Sequence, residues 1–293
     1  MSFANGRPDR APYLLFALLC LVWGSTWLSL KIGVATVPPL TFAAARFLLA
    51  SLPLLLWAAI RGTWRVPAAT VAPGAVLMIA VNYGLMAWGM VRVSSGIASV
   101  INLATVPTAT LLLAVAHGQT RWSAAALTAV VTGCAGLALM FGPRFGAAET
   151  IGMIAIATGA AAYAWGGILT KRRPPADPLA LAGWQSLVGG ALLAAAAPWD
   201  GAALAALASP VALANLAFLV AAAIIGGSVY LMLLARWDAA RVSAYAFVCP
   251  LIALAEGAVL DGQSPSHVEL GAAVLLLLAT GFSLTAQTRK AFS

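Results

Sequence analysis

The chain has 293 residues, 62% of them hydrophobic and 8% charged, with a formal net charge of +8. So little charge cannot clothe a water-soluble domain of this size. The apolar runs are continuous, not alternating, which argues against a transmembrane β-barrel. In a soluble protein the positive balance would suggest nucleic acid, but here the basic residues fall mainly between apolar runs and no nucleic-acid partner is expected.

About 20 apolar residues cross a bilayer as a helix. The first predicted span, 13–34, follows Arg7 and Arg10 as a signal peptide would. It outruns the roughly 7–15 residues of a signal h-region and lacks a clear cleavage site, so it is read as uncleaved. Trp23 and Trp27, four residues apart, share a face of it, and Lys31 lies toward its outer end. The second span, 39–60, opens on Pro38-Pro39 and carries Arg46 inside it. A charge at that depth costs several kcal/mol, so Arg46 is expected either to bind a substrate carboxylate or to hold helix ends and an acidic partner. Lys31 is expected to snorkel to the headgroups or to face a cavity.

The third span, 70–91, carries Asn82 and Tyr83 near its centre, and the fourth, 95–116, holds Asn102 and Pro107. The fifth is 123–141. The sixth, 151–170, holds Tyr163, Trp165 and Gly166-Gly167, and the seventh, 178–198, holds Trp184, Gln185 and Gly189-Gly190. The eighth, 212–235, holds Gly226-Gly227. The ninth, 242–260, holds Tyr245, Pro250 and Glu256, the one acid clearly inside a span; the tenth is 268–287. Trp64, Trp122, Trp199 and Trp237 fall at span ends, as an interfacial belt would. Paired glycines suit close helix approach or hinging.

With the N-terminus cytoplasmic, twelve basic residues lie inside (Arg7, Arg10, Arg61, Arg65, Arg121, Lys171, Arg172, Arg173, Arg236, Arg241, Arg289 and Lys290) and two, Arg92 and Arg144, outside. The positive-inside bias thus predicts both termini in the cytoplasm and accounts for the basic net charge.

The second half echoes the first. Gly118-Gln119-Thr120 matches Gly262-Gln263-Ser264, Pro107 matches Pro250, Pro39-Leu40 matches Pro178-Leu179, and Lys31 matches Lys171, at offsets of 139 to 144. Five spans per repeat is odd, so the second repeat enters the membrane from the opposite side. The expected fold is therefore an all-α integral membrane protein of ten helices in two inverted five-helix repeats, 1–146 and 147–293. Such repeats put a substrate site near the midplane between them, and Pro-interrupted spans point to it; Pro107 and Pro250 serve that purpose or simply bend their helices.

The opening Trp23-Gly24-Ser25-Thr26, followed by Lys31, Pro39 and Arg46, resembles the drug/metabolite transporter superfamily, and within it the EamA-type ten-helix branch. The repeat, short loops and matched prolines extend the resemblance over nearly the whole chain, and the chain is similar to the YddG-type exporters of aromatic amino acids. The resemblance implies alternating access in the cell inner (cytoplasmic) membrane. The chain departs from the branch in carrying Gln119 and Gln263 where many members have glutamate, and Cys249 where many have an acid before the ninth-span proline; both put proton coupling in doubt.

Trp23, Trp27, Asn82, Tyr83, Asn102, Tyr163, Trp165, Trp184, Gln185 and Tyr245 are the candidate substrate-binding residues. Their rings can stack an aromatic side chain or a flat cation, or they pack helices. Lys31, Arg46, Pro107, Pro250 and Glu256 are the candidate gating or structural residues, with Glu256 expected to pair with Arg46 or Lys31. The expected substrate is a small molecule, an amino acid with aromatic preference; an aromatic cationic drug or another metabolite is the alternative. Cys20, Cys134 and Cys249 have no metal spacing. Two isolated histidines and no acid pair leave an enzyme without its chemistry, so neither metal nor cofactor is expected. One chain supplies both halves of a pathway, so a monomer in the lipid bilayer suffices.

Overall fold

The computed structural model describes residues 10–93, 95–141, 149–260 and 266–285, without the side chains of 95–97, 140, 141, 253, 256–260 and 285. Gly262-Gln263-Ser264 and the Glu256 side chain therefore lie outside the described residues, and with them the expected Glu256 pairing.

Every regular element among the described residues is helical. Eight of the helices are long and apolar enough to cross a membrane, and two apolar helices are shorter. The first, α1 (Ala11–Thr36), is broken at Ser25. The tryptophan-glycine motif is that break: Ser25 Oγ donates to the Leu21 carbonyl at 2.9 Å and Thr26 Oγ1 to the Trp23 carbonyl at 2.8 Å, competing with the backbone as mid-helix hydroxyls do. Next come α2 (Pro39–Ile60), started by proline in its first turn, and α3 (Ala68–Met90). In α3, a π-wound stretch, Gly74–Val81, separates two α-helical pieces.

The chain continues through α4 (Ser95–Ala116), α5 (Ala124–Phe141) and α6 (Thr150–Lys171). Asp177 caps α7 (Pro178–Ala195), its side chain accepting from the Leu179 and Ala180 amides, which satisfies orphan donors of the first turn. A short helix, Gly201–Leu207, then occupies the loop before α8 (Pro210–Arg236), which Ser209 caps. The last helices are α9 (Tyr245–Leu260), preceded by the single turn Ala239–Val242, and α10 (His267–Thr285). The π stretch is not anticipated by hydropathy, because it is as apolar as the regular helix around it.

The helices pack in a regular scheme. α2 lies on α7 and α5 on α10; α3 contacts α6 and α7, while α8 contacts α1 and α2; α4 contacts α6, and α9 contacts α1. Exchanging each helix for the one five places on returns the same set of contacts. Large apolar side chains remain exposed on the outside, Leu14, Leu52, Ile60 and Ile151 among them, a continuous apolar surface that suits lipid.

Two lysines hold equivalent corners. Lys31 Nζ, on α1, donates to the carbonyls of Met90 and Val93 at 2.7 and 3.0 Å, at the C-terminal end of α3. Lys171 Nζ, on α6, donates to the carbonyls of Leu234 and Trp237 at 2.8 and 2.7 Å, at the end of α8. Each satisfies carbonyls that a helix end leaves unpaired and puts a cation where the helix dipole favours one. Lys31 is thus corrected from a snorkelling or cavity residue to a clasp between helices. Trp237 is also corrected: it is 8% exposed, packed against Tyr13 and Phe16 rather than standing in an interfacial belt.

Candidate functional site

Between the halves lies a cavity of two adjoining lobes. The first is bordered by Trp23, Trp27, Asn82, Asn102 and Tyr245, with Cys249 beside them. The second is bordered by Phe47, Met78, Gln185, Ser186, Gly227 and Tyr230. Trp23, Arg46, Tyr83 and Tyr163 border both.

One wall is aromatic. The Trp23 indole stacks on Tyr230 at 5.5 Å between ring centroids and meets Tyr245 edge-on at 4.6 Å and Tyr163 at 6.2 Å. Tyr163 and Tyr230 lie 5.4 Å apart. These offset and T-shaped arrangements are the favourable ones for aromatic quadrupoles. Four of the chain's five tyrosines border the cavity. The indole is seated by Gly226, where a Cβ would come 2.2 Å from Trp23 Nε1.

The facing wall holds the charge. Arg46 is 3% exposed; its Nε donates to the Leu219 carbonyl of α8 at 3.1 Å. Its guanidinium carbon lies 5.1 Å from the Phe47 ring centroid and 5.0 Å from that of Tyr83, two rings themselves 4.6 Å apart. Desolvated cation–π contacts of this kind stabilise by about 2 kcal/mol. The guanidinium is therefore held inside the bundle by a carbonyl and two rings, and it borders both lobes. Asn82 Oδ1 and Gln185 Nε2 are buried without a hydrogen-bond partner among the described residues. A buried polar atom left without a partner costs about 1–3 kcal/mol.

The cavity positions recur at the offsets found between the halves. Arg46 and Gln185 are 139 residues apart, Trp23 and Tyr163 are 140, Asn102 and Tyr245 are 143, and Tyr83 and Gly227 are 144.

A family model described as the EamA-like transporter family matches residues 10–142 and, a second time, 150–285. The chain belongs to the EamA-like transporter family. It is a multi-pass protein of the cell inner membrane. It is 30% identical over 260 residues to the "Uncharacterized inner membrane transporter YedA" of Escherichia coli (strain K12), covering 87% of this chain and 84% of that one. It is 25% identical to the "Uncharacterized transporter YvbV" of Bacillus subtilis, over 93% and 91% of the two chains. To the "Probable amino-acid metabolite efflux pump" of Salmonella typhimurium it is also 25% identical, over 92% and 93%. A crystal structure sharing 17% identity superposes with a TM-score of 0.79 over 98% of this chain and 100% of the other, a likeness of fold.

In this EamA-family transporter, Trp23, Trp27, Asn82, Tyr83, Asn102, Tyr163, Gln185 and Tyr245 are brought to the cavity, and so is Arg46. Trp165 and Trp184 are not. Trp165 is 45% exposed and its Nε1 donates to His117 Nε2 at 3.2 Å; Trp184 Nε1 donates to the Trp64 carbonyl at 2.6 Å. Trp165 lies on an exposed face and Trp184 is half-buried against the core; neither face is identified by spacing alone in an all-apolar segment. Pro107 and Pro250 are buried directly behind the cavity residues Val106 and Cys249. Sequence reasoning missed Phe47, Met86, Tyr230 and the lining role of Gly227. Ala223, Gly227, Tyr230 and Leu231 fall at i, i+4, i+7 and i+8 of one face of α8, so the 144-residue offset from the predicted Tyr83 to Gly227, followed by helical spacing, would have pointed to Tyr230.

Proposed function

We propose that this chain exports small metabolites, amino acids with aromatic or hydrophobic side chains in particular, by alternating access through the central cavity. The observation that carries the reading is the pairing of one caged cation, Arg46, with a cluster of rings formed by Trp23, Tyr163, Tyr230 and Tyr245. The guanidinium offers a fork of donors to a carboxylate, and the rings offer stacking to a planar side chain. Asn82, Asn102 and Gln185 supply neutral hydrogen bonds for the rest of the ligand. A cationic drug would meet the same rings but would also meet Arg46, so the anionic end decides between the two readings.

The architecture proposed for this is ten spanning helices in two inverted repeats, 1–146 and 147–293, with both termini cytoplasmic. Support comes from the two family-model matches, from helix contacts that return when each helix is exchanged for the fifth one on, and from the Lys31 and Lys171 clasps. In this orientation Lys31 ties α1 to α3 near the outer face and Lys171 ties α6 to α8 near the inner face, so rocking one repeat against the other opens the cavity alternately.

The test is counterflow in proteoliposomes preloaded with unlabelled tryptophan and given trace labelled tryptophan outside. The expected result is transient accumulation above equilibrium. Absence of saturable accumulation of tryptophan and phenylalanine, with or without an imposed pH gradient, would sink the substrate assignment.

A further inference from the structure

Gly226 and Gly227 are neighbours with opposite surroundings. A Cβ on Gly226 would strike the Trp23 indole, whereas a Cβ on Gly227 meets nothing within 4 Å. Gly227 borders the second lobe, whose walls include the rings of Trp23, Phe47, Tyr83, Tyr163 and Tyr230, together with Arg46. Packing explains Gly226 and leaves Gly227 unexplained.

The other half supplies the measure of the empty space. The position 144 residues earlier is Tyr83, whose phenol ring lies 4.6 Å from Phe47 and faces Arg46. Where the first half carries a phenol, the second carries only hydrogen, so the lobe lacks about one aromatic ring beside rings already in place.

We infer that Gly227 sets the size limit of the pocket that receives the substrate's side chain. The second lobe takes a single planar or bulky apolar group while the carboxylate is held at Arg46, where the lobes join. This rests on the amino-acid reading above.

The test uses the full chain with Cys20, Cys134 and Cys249 replaced by alanine and Gly227→Cys introduced, treated with neutral methanethiosulfonates carrying a methyl, a benzyl or a larger polycyclic group. Methyl and benzyl groups should add readily and the polycyclic group at least about tenfold more slowly, the penalty of overpacking a filled site. The benzyl adduct should lower tryptophan counterflow by at least about tenfold, and tryptophan should protect the thiol. Gly227→Leu, which needs no labelling, should discriminate against tryptophan relative to leucine by a similar factor.

Failure of all three reagents on folded protein would overturn the inference. So would equal reaction rates for all three, or adducts that leave tryptophan counterflow unchanged. If the unsubstituted chain moves no amino acid, the transport reading fails by itself; a one-ring cut-off in labelling would then uphold the pocket and its absence would overturn it.

Discussion

The two halves of the chain meet the cavity at matching positions whose chemistry, aromatic Trp23 and Tyr163 apart, is unlike, and meet each other at matching positions with like chemistry. Lys31 and Lys171 make the same pair of bonds to the same kind of helix end, and Pro107 and Pro250 are the internal prolines of α4 and α9. Inside the cavity, Arg46 corresponds to Gln185, Asn102 to Tyr245, Met86 to Tyr230 and Tyr83 to Gly227. Under the proposed rocking mechanism a repeated frame would let both sides close in the same way, and an uneven lining would suit the proposed substrate, with one charged end and one apolar end.

The largest expected effect comes from removing the charge of the polar wall. Arg46→Gln should cut tryptophan counterflow by roughly 10- to 100-fold, the worth of one or two hydrogen bonds to a charged group, with loss of discrimination between tryptophan and its amide. Unaltered discrimination would mean that Arg46 only holds α2 to α8. The frame is tested next. Lys31→Met and Lys171→Met each leave two helix-end carbonyls unpaired and should each cost about 1.5–3 kcal/mol, read as lower melting temperatures of similar size in detergent. A large shift for one and none for the other would break the equivalence of the two clasps.

The aromatic wall comes third. Gly226→Ala pushes into Trp23 and should destabilise by about 1–3 kcal/mol, whereas Gly227→Ala should leave the melting temperature within a degree or two of the parent, as a change into open space does. Equal destabilisation by both would contradict the different surroundings of the two glycines. The smallest effects are expected outside the cavity: Trp165→Phe and Trp184→Phe should change counterflow by no more than about twofold, since neither residue borders the cavity.

Much of this was legible in the residues. Arg46, Asn82 and Asn102 stand out because a polar group inside an apolar segment needs a reason to be there, and all three reach the cavity. Trp165 and Trp184 misled because a tryptophan inside an apolar run is equally at home against lipid, and hydropathy has no sign that separates the two faces. Lys31 misled through depth: near the end of a span a lysine can reach either headgroups or a neighbouring helix terminus, and only the position of α3 decides. Gly227 was visible but mute, since a glycine that makes room for a helix and a glycine that makes room for a ligand read alike.

The π-wound stretch Gly74–Val81 also forms part of this wall, with Met78 and Ile79 against the second lobe and Asn82 and Tyr83 in the turn that follows. A π-helix carries more residues per turn than an α-helix, and each residue taken up by rewinding would swing the rest of α3 by about 100°. Its counterpart α8 is wound as α-helix throughout. The bundle thus has slack thread on one side only, and a slip of that thread would carry Asn82 and Tyr83 out of the cavity together while the rings of α8 stood still.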